Sequence, residues 1–298
     1  MRSDDDPGFD PITVPDTALV IEGGGMRGSL TSAVIIGLLE NDLRLGLASG
    51  ISAGASMATG YITQQPDRLR YSFLDVVTDP QFGGWQSLAR GKGYFHADHI
   101  YDPATLPGAF AWDRFKANPA KWRIGAVRAS DGEEVWWGQQ DARDIADANM
   151  RIRASSTLPL MMPPPVIDGE TYFDGALGST GGIPLTVAEE EGYEKFLIVL
   201  TRPIDYVKKP VRFTRVLTRG LQEYPAIIER TLTRHERYNQ MRERVLDLQK
   251  AGKAYVFYPE EMPVSNSERN LAKLTAAHEL GRQQFERELP AIREFLEV

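Results

Sequence analysis

Gly50-Ile51-Ser52-Ala53-Gly54 closes an apolar run, Leu43 to Ser49, and opens a stretch of small residues that reaches Gln64. A Gly-x-Ser-x-Gly at a strand end reads as a nucleophile elbow. The serine sits on a sharp strand-to-helix turn, and side chains at the flanking Gly50 and Gly54 would clash with crossing backbone. Upstream, Ala18-Leu19-Val20-Ile21 is a short β-type run, followed by Glu22-Gly23-Gly24-Gly25-Met26-Arg27-Gly28. Such a glycine loop offers free backbone N–H groups to a developing oxyanion. Ser29 to Asn41 then carries Leu30, Val34, Leu38 and Leu39 on one helical face. Strand, loop, helix, strand, elbow and helix make a βαβα unit on a parallel sheet. The pair of motifs in this order makes a serine hydrolase the leading expectation.

Around this unit the chain has 298 residues, 42% hydrophobic and 25% charged, enough to bury a large core. Its net charge of −7 argues against non-specific nucleic-acid binding, which needs a basic face. A local basic patch would still allow peripheral contact with a membrane surface. The absence of cysteine excludes disulfides, a thiolate nucleophile and thiolate-held metals. The acidic start, Met1-Arg2-Ser3-Asp4-Asp5-Asp6-Pro7, has no apolar run behind it, and no stretch of about 18 apolar residues follows. The expectation is a cytoplasmic protein with no transmembrane helix.

The organisation expected is a flexible tail over 1–16 and one α/β domain over 17–298, a three-layer α/β/α sandwich with a mostly parallel central sheet. Its motif-bearing core covers about 17–205, and a helical part covers about 211–298. Residues 79–120, rich in aromatics and broken by glycine and proline, read as a long irregular insertion. That insertion is a candidate lid or substrate wall, and equally a surface excursion. Arg123 to Arg128 and Glu134 to Trp137 read as a hairpin, Asp144 to Ser156 as a helix, and Glu194 to Leu200 as a late strand. From Val211 to Ala251 the pattern is helical and Arg-rich, broken near Pro225. A strand over Ala254 to Tyr258 and a helix from about Glu268 to Val298 close the chain.

Ser52 needs a base, because a free serine hydroxyl is a weak nucleophile. Of the four histidines, His235 lies in a charged run, His278 in the last helix, and His96 and His99 in the insertion. No metal-ligand spacing accompanies them. Either a histidine arrives from elsewhere in the fold or the base is not histidine. Among the three Asp-Gly pairs, Asp131-Gly132 and Asp168-Gly169 read as hairpin turns, the second of type I′. Asp174 instead follows Tyr172-Phe173 at a strand end and precedes Gly175-Ala176-Leu177-Gly178. As a base it would need a partly desolvated site.

Taken together, Glu22 to Gly28, Gly50 to Ala55 and Phe173-Asp174-Gly175-Ala176 resemble the patatin-like phospholipases, in the right order over about residues 17–205. The resemblance extends to Arg153-Ala154-Ser155-Ser156-Thr157-Leu158-Pro159 and Pro163-Pro164-Pro165. It implies Ser52 as nucleophile and Asp174 as base, a dyad without histidine. It also implies an oxyanion hole from the glycine loop (Gly23, Gly24, Gly25, Met26, Arg27 and Gly28), helped by Ala53 and braced by Arg27. The substrate implied is a fatty-acyl ester, either a phospholipid or a lipid-like monoester, with no metal or organic cofactor. The insertion's aromatics, among them Phe82 and Phe95, are candidates to contact the acyl chain. Glu22 departs from the Asp or Gly of many members.

Three other readings remain at this point. Gly23-x-Gly25-x-x-Gly28 fits a dinucleotide loop, but the next strand ends in Ser49-Gly50-Ile51-Ser52 where an acid should hold the ribose. An α/β-hydrolase triad would join Ser52 and Asp174 to His235 or His278. A non-catalytic patatin-like scaffold would keep the fold for binding alone.

Overall fold

Alternation along the first strand sets the layering. The computed structural model describes residues 10–104, 110–212 and 214–298. In β1 (Val14–Ile21), Leu19 and Ile21 enter one apolar core while Ala18 and Val20 enter another. Both faces of the sheet are therefore covered, as parallel strands require. The chain continues through α1 (Gly28–Glu40), β2 (Leu45–Ile51), α2 (Ala53–Ile62) and α3 (Pro66–Phe73). Among the described residues, the insertion carries three short helices, α4 (Trp85–Ala89), α5 (Ala97–Ile100) and α6 (Trp112–Ala117). Then come β3 (Lys121–Arg128), β4 (Glu134–Trp137), α7 (Ile145–Ser156), β5 (Val166–Ile167), β6 (Glu170–Asp174), α8 (Leu185–Glu190) and β7 (Lys195–Val199). The C-terminal part is α9 (Thr214–Gly220), α10 (Pro225–Lys250), β8 (Ala254–Phe257) and α11 (Leu271–Leu296).

The sheet runs β5-β6-β3-β2-β1-β7-β8, with β4 paired on β3. β3, β2, β1, β7 and β8 are mutually parallel; β4 and β6 are antiparallel to β3. This is the three-layer, mostly parallel α/β/α architecture read from the sequence. α1, α2, α3, α7 and α11 build the larger core on one face. α8 and α10 close the other, through Leu185, Tyr238, Met241 and Val245. The Asp168-Gly169 turn has both φ angles positive, at 51° and 85°, as a type I′ hairpin needs.

One boundary needs correction. The tail expected over 1–16 is already anchored by residue 10. Asp10 meets Arg44 at 2.7 Å, and the N–H groups of Thr13 and Val14 both reach the Arg44 carbonyl. β1 starts at Val14 because a register irregularity between Val14 and Ala18 accommodates Pro15, which cannot donate to a ladder. Residues 1–9 lie outside the described residues.

The C-terminal helices are built into the same layers. α11 crosses α1 so closely that a Cβ at Gly281 would enter the Leu30 carbonyl oxygen, and one at Gly37 would enter the Phe285 ring. Gly281→Ala should therefore cost at least about 2 kcal/mol and lower the melting temperature by roughly 4–8 °C. An unchanged transition in a thermal melt would show that α11 does not rest on α1 at this point.

Candidate active site

Each strand has two edges, and the register of β3 decides where the site forms. β4 occupies one edge from Ile124 to Val127. The other edge holds β2 as far as Gly125, which pairs with Ile51, and then β6 from Ala126, which pairs with Asp174. Two strands of opposite direction thus end head to head on one edge. Ser52 follows the last residue of β2, and Asp174 is the last residue of β6.

Ser52 takes φ 58°, ψ −126°, a strained backbone for a side-chain-bearing residue, and α2 starts immediately after it. The turn is permitted by its glycines. A Cβ on Gly50 would enter the Gly54 carbonyl, and one on Gly54 would enter the Ile21 carbonyl of β1. The Ser52 N–H donates to the Ser155 hydroxyl of α7 at 3.0 Å, which fixes the elbow to a second helix. Ser155 belongs to the segment read as leading to Asp174, but its bond to the elbow has no sequence signature.

Asp174 is 1% exposed and Ser52 7%. Asp174 Oδ1 accepts the Ala176 N–H at 2.8 Å, so the Asp-Gly-Ala motif caps its own acid. Oδ2 is buried and has no close hydrogen-bond partner among the described residues. The Ser52 hydroxyl nevertheless stands near enough to lower the Asp174 pKa, so the two groups face each other across a loose contact. Burial pushes the Asp174 pKa up overall; Arg234, the Ala176 N–H, Ser52 and Lys208 oppose it.

The glycine loop lies over the elbow. Gly25 has φ +55°, and a Cβ there would crowd the Asn266 carbonyl. That carbonyl accepts the Met26 N–H at 3.0 Å, and Gly182 accepts the Gly23 N–H at 3.1 Å. The N–H groups of Gly24, Gly25 and Ala53 make no bond within the described residues. Arg27 reaches Thr201, at the end of β7, at 3.4 Å. Glu22, 2% exposed, staples the loop from below: it accepts the Thr201 N–H at 2.5 Å and the Tyr238 hydroxyl at 2.7 Å. The departure at residue 22 is thus a structural contact between β1, β7 and α10.

Sequence reasoning missed the role of α10. Its arginines hold backbone carbonyls of the loops that leave β6 and β7: Arg234 to Gly181 at 3.0 Å, Arg237 to Gly178 and Leu177 at 2.9 Å, and Arg242 to Pro203 at 2.8 Å. Arg234 and Lys208 also bias Asp174 toward its charged form. Burial first, and then Arg234 and Arg27, bring Lys208 down to about 7. Only the 3.6-residue spacing of arginines could have hinted at one functional face.

The histidines stand elsewhere. His235 turns Nδ1 to the Leu232 carbonyl of its own helix, and His278 donates to the Ser29 carbonyl at 2.9 Å. His99 bonds Asp79 at 2.7 Å and stacks on His96. None of them lines the cavity beside Ser52 or ranks among the groups that set the Asp174 pKa.

The free space there, about 930 Å³ with the open solvent it joins, is largely apolar, with Met26, Phe73, Phe82, Phe95, Ile152 and Met162 in its walls. The insertion therefore supplies part of the wall. It also contributes Tyr101, whose buried hydroxyl, near Ser156 and Asp174, is pushed up to about 12 and stays a neutral donor. No described helix is long and apolar enough to cross a membrane.

Residues 19–188 match the sequence model of patatin-like phospholipases, and residues 224–297 match a domain of unknown function, DUF6363. The uncharacterized protein YjjU of Escherichia coli (strain K12) is 26% identical over 206 residues, 67% of this chain and 56% of that protein. The chain thus matches little more than half of that relative's length. The crystal structure of VipD from Legionella pneumophila superposes with a TM-score of 0.49 at 12% identity, covering 93% of this chain and 67% of that one.

A buried acid with a raised pKa costs stability wherever the unfolded chain would be ionised. The unfolded carboxyl titrates near 3.9, and the folded one above it, so stability falls as pH rises from one value to the other. Asp174→Asn removes that cost and keeps the acceptor for Ala176. At pH 7 its melting temperature should exceed that of the parent by about 2 °C or more, with the gap closing below about pH 4. A lower melting temperature at neutral pH would mean that the charge is fully compensated.

Proposed function

Because the chain belongs to the patatin-like phospholipase family, we propose that it is a serine acyl hydrolase that cleaves fatty-acyl esters through a Ser52–Asp174 dyad. The observation that carries this reading is the head-to-head ending of β2 and β6 on β3, which brings a buried carboxylate close to a strained serine that lines an apolar cavity. As Ser52 Oγ attacks the ester carbonyl, its proton passes to Asp174 Oδ2. The carbonyl oxygen becomes an oxyanion and accepts the N–H groups of Gly24, Gly25 and Ala53, at the positive end of α2. Asp174 then gives its proton to the departing alkoxide, and the alcohol leaves. Water attacks the acyl-enzyme, Asp174 takes a proton from it and returns that proton to Ser52, and the carboxylic acid is released. The net change is ester plus water to acid plus alcohol, and the chain's own residues move every proton.

A carboxylate of ordinary pKa is a poor base at neutral pH, and the burial of Asp174 supports its role by raising that value. The apolar walls support a fatty-acyl substrate, phospholipid or simpler lipid ester, with the chain in the cavity and the alcohol facing the loops after β6 and β7. The lack of cysteine remains in keeping with a cytoplasmic protein that meets lipid at a membrane surface. An α/β-hydrolase triad gains no support from the positions of His235 and His278.

Hydrolysis of p-nitrophenyl esters of rising chain length tests the reading. Ser52→Ala and Asp174→Asn should each lower kcat by at least about 10³-fold, while His235→Ala and His278→Ala retain activity. Loss of activity in a histidine variant would move the base to that histidine.

The pH profile offers a second check. Asp174 must be ionised to accept the proton, so kcat/KM falls as pH drops through its pKa. Arg234→Met removes the strongest of the cations that favour the carboxylate, and the acidic limb should move to higher pH. A limb that stays in place, or moves down, would show that Asp174 is not the group titrating.

A further inference from the structure

The cavity is not apolar to its end. Along α2, Ser52, Ser56 and Thr59 line it; along α7, Ser156, Ile152 and Asn149 do. Ser52 to Thr59 and Ser156 to Asn149 are each two helical turns, roughly 10 Å. The bond from Ser52 to Ser155 ties the two helices together at the elbow end. The opposite end therefore falls at Thr59 and Asn149, where Arg68 of α3 also enters the lining.

These far-end groups are short of acceptors. Asn149 is 2% exposed, and its Nδ2 is buried with no hydrogen-bond partner among the described residues. Its Oδ1 is taken by Arg68 Nη2 at 3.4 Å. The Arg68 guanidinium lies over the Phe110 ring at 5.1 Å and makes no ion pair with a carboxylate among the described residues. Burial alone brings it down to about 10, since no neighbouring acid opposes the loss of water. Thr59 offers nothing further: its hydroxyl donates to Ala55 and accepts from the Trp122 indole.

An unpaired buried amide donor is costly unless an acceptor arrives, and for the half-buried guanidinium beside it the best acceptor is a charged, planar one. A plain fatty chain would set its methyl end against both groups and leave the Asn149 amide unsatisfied. We propose that this cavity selects acyl esters whose chain ends in a carboxylate about eight carbons from the ester carbonyl, received by Arg68 and Asn149. Arg68 supplies the fork and the charge, and Asn149 Nδ2 supplies the third donor. The inference rests on the Ser52–Asp174 reading for the chemistry at the other end: the monoester and water give the dicarboxylate and the alcohol.

The test compares the 4-nitrophenyl monoester of suberate with 4-nitrophenyl octanoate, equal in chain length and leaving group. The parent protein should favour the suberate ester by at least about tenfold in kcat/KM, through KM. Arg68→Met should bring the suberate-to-octanoate ratio down by at least about tenfold, and Asn149→Leu by less. Arg68→Lys, which keeps the charge without the fork, should retain part of the preference. Should Arg68→Met fail to fold, Asn149→Asp carries the test, because its carboxylate would occupy Arg68 and repel that of the substrate. A parent that prefers octanoate, or a ratio unmoved by these variants, overturns the proposal while Ser52-dependent hydrolysis stands. If neither ester is cleaved, or Ser52→Ala still cleaves them, the dyad reading fails instead. Calorimetric titration of free suberate into Ser52→Ala then decides: binding lost in a Ser52→Ala, Arg68→Met double variant supports the receptor, and no binding overturns it.

Discussion

The edge of β3 is the constraint on which the site depends. β2 and β6 cannot both run its full length, so one must stop where the other begins, between Gly125 and Ala126. The division needs a small residue on each side. A Cβ on Gly175 would enter the Gly125 carbonyl, so the chain leaving β6 has to lie flush against β3. A one-residue slip of β6 would turn Asp174 to the opposite face of the sheet, because side chains alternate along a strand. The Asp-Gly-Ala sequence therefore encodes a register as much as an acid.

The C-terminal part makes this arrangement tolerable. A buried carboxylate with one unpartnered oxygen is unfavourable, and the loops after β6 and β7 are held within themselves only by a 3-10 turn and a few turn bonds. α10 answers both needs with the same side chains. Arg234 and Arg237 bind the carbonyls of residues 177–181, and Arg234 with Lys208 lowers the cost of the Asp174 charge. α11 and β8 extend the core behind them. Residues 224–297, which match the model of a domain of unknown function, thus complete the sheet and support a candidate site whose main motifs lie before residue 188.

Much of this was legible in the sequence where a local rule acts. Apolar runs bounded by glycine gave the strands, and the type I′ turn at Asp168-Gly169 followed from residue type. Gly50, Gly54 and the Gly23–Gly28 loop announced close backbone approach. Contacts set only by the folded chain were not legible. Ser155, Asn266 and Tyr101 reach the elbow, the glycine loop and the surroundings of Asp174 from three separate segments, and no spacing links them. The Arg-rich pattern of α10 reads as a solvated face because arginine usually is solvated. Its targets are main-chain carbonyls, which leave no trace in residue type.

The same distinction separates the two ends of the cavity. At the elbow, donors and acceptors are matched within the chain: Ser155 receives the Ser52 N–H, and Ala176 holds one Asp174 oxygen. Among the groups left over there are Asp174 Oδ2, the loop N–H groups and the Ser156 hydroxyl, and the first two are those that the proposed ester cleavage would use. At Arg68 and Asn149 the surplus consists of donors, in a wall that also carries the hydroxyls of Ser56, Thr59 and Ser72 among its apolar side chains. A chain under selection only for burying hydrocarbon would gain by placing leucine or methionine at both positions, since an apolar pair of similar volume avoids the desolvation cost. On the proposed reading, unmatched donors at the Arg68 end, and both an unmatched acceptor and unmatched N–H groups at the elbow, define a substrate by what each end lacks.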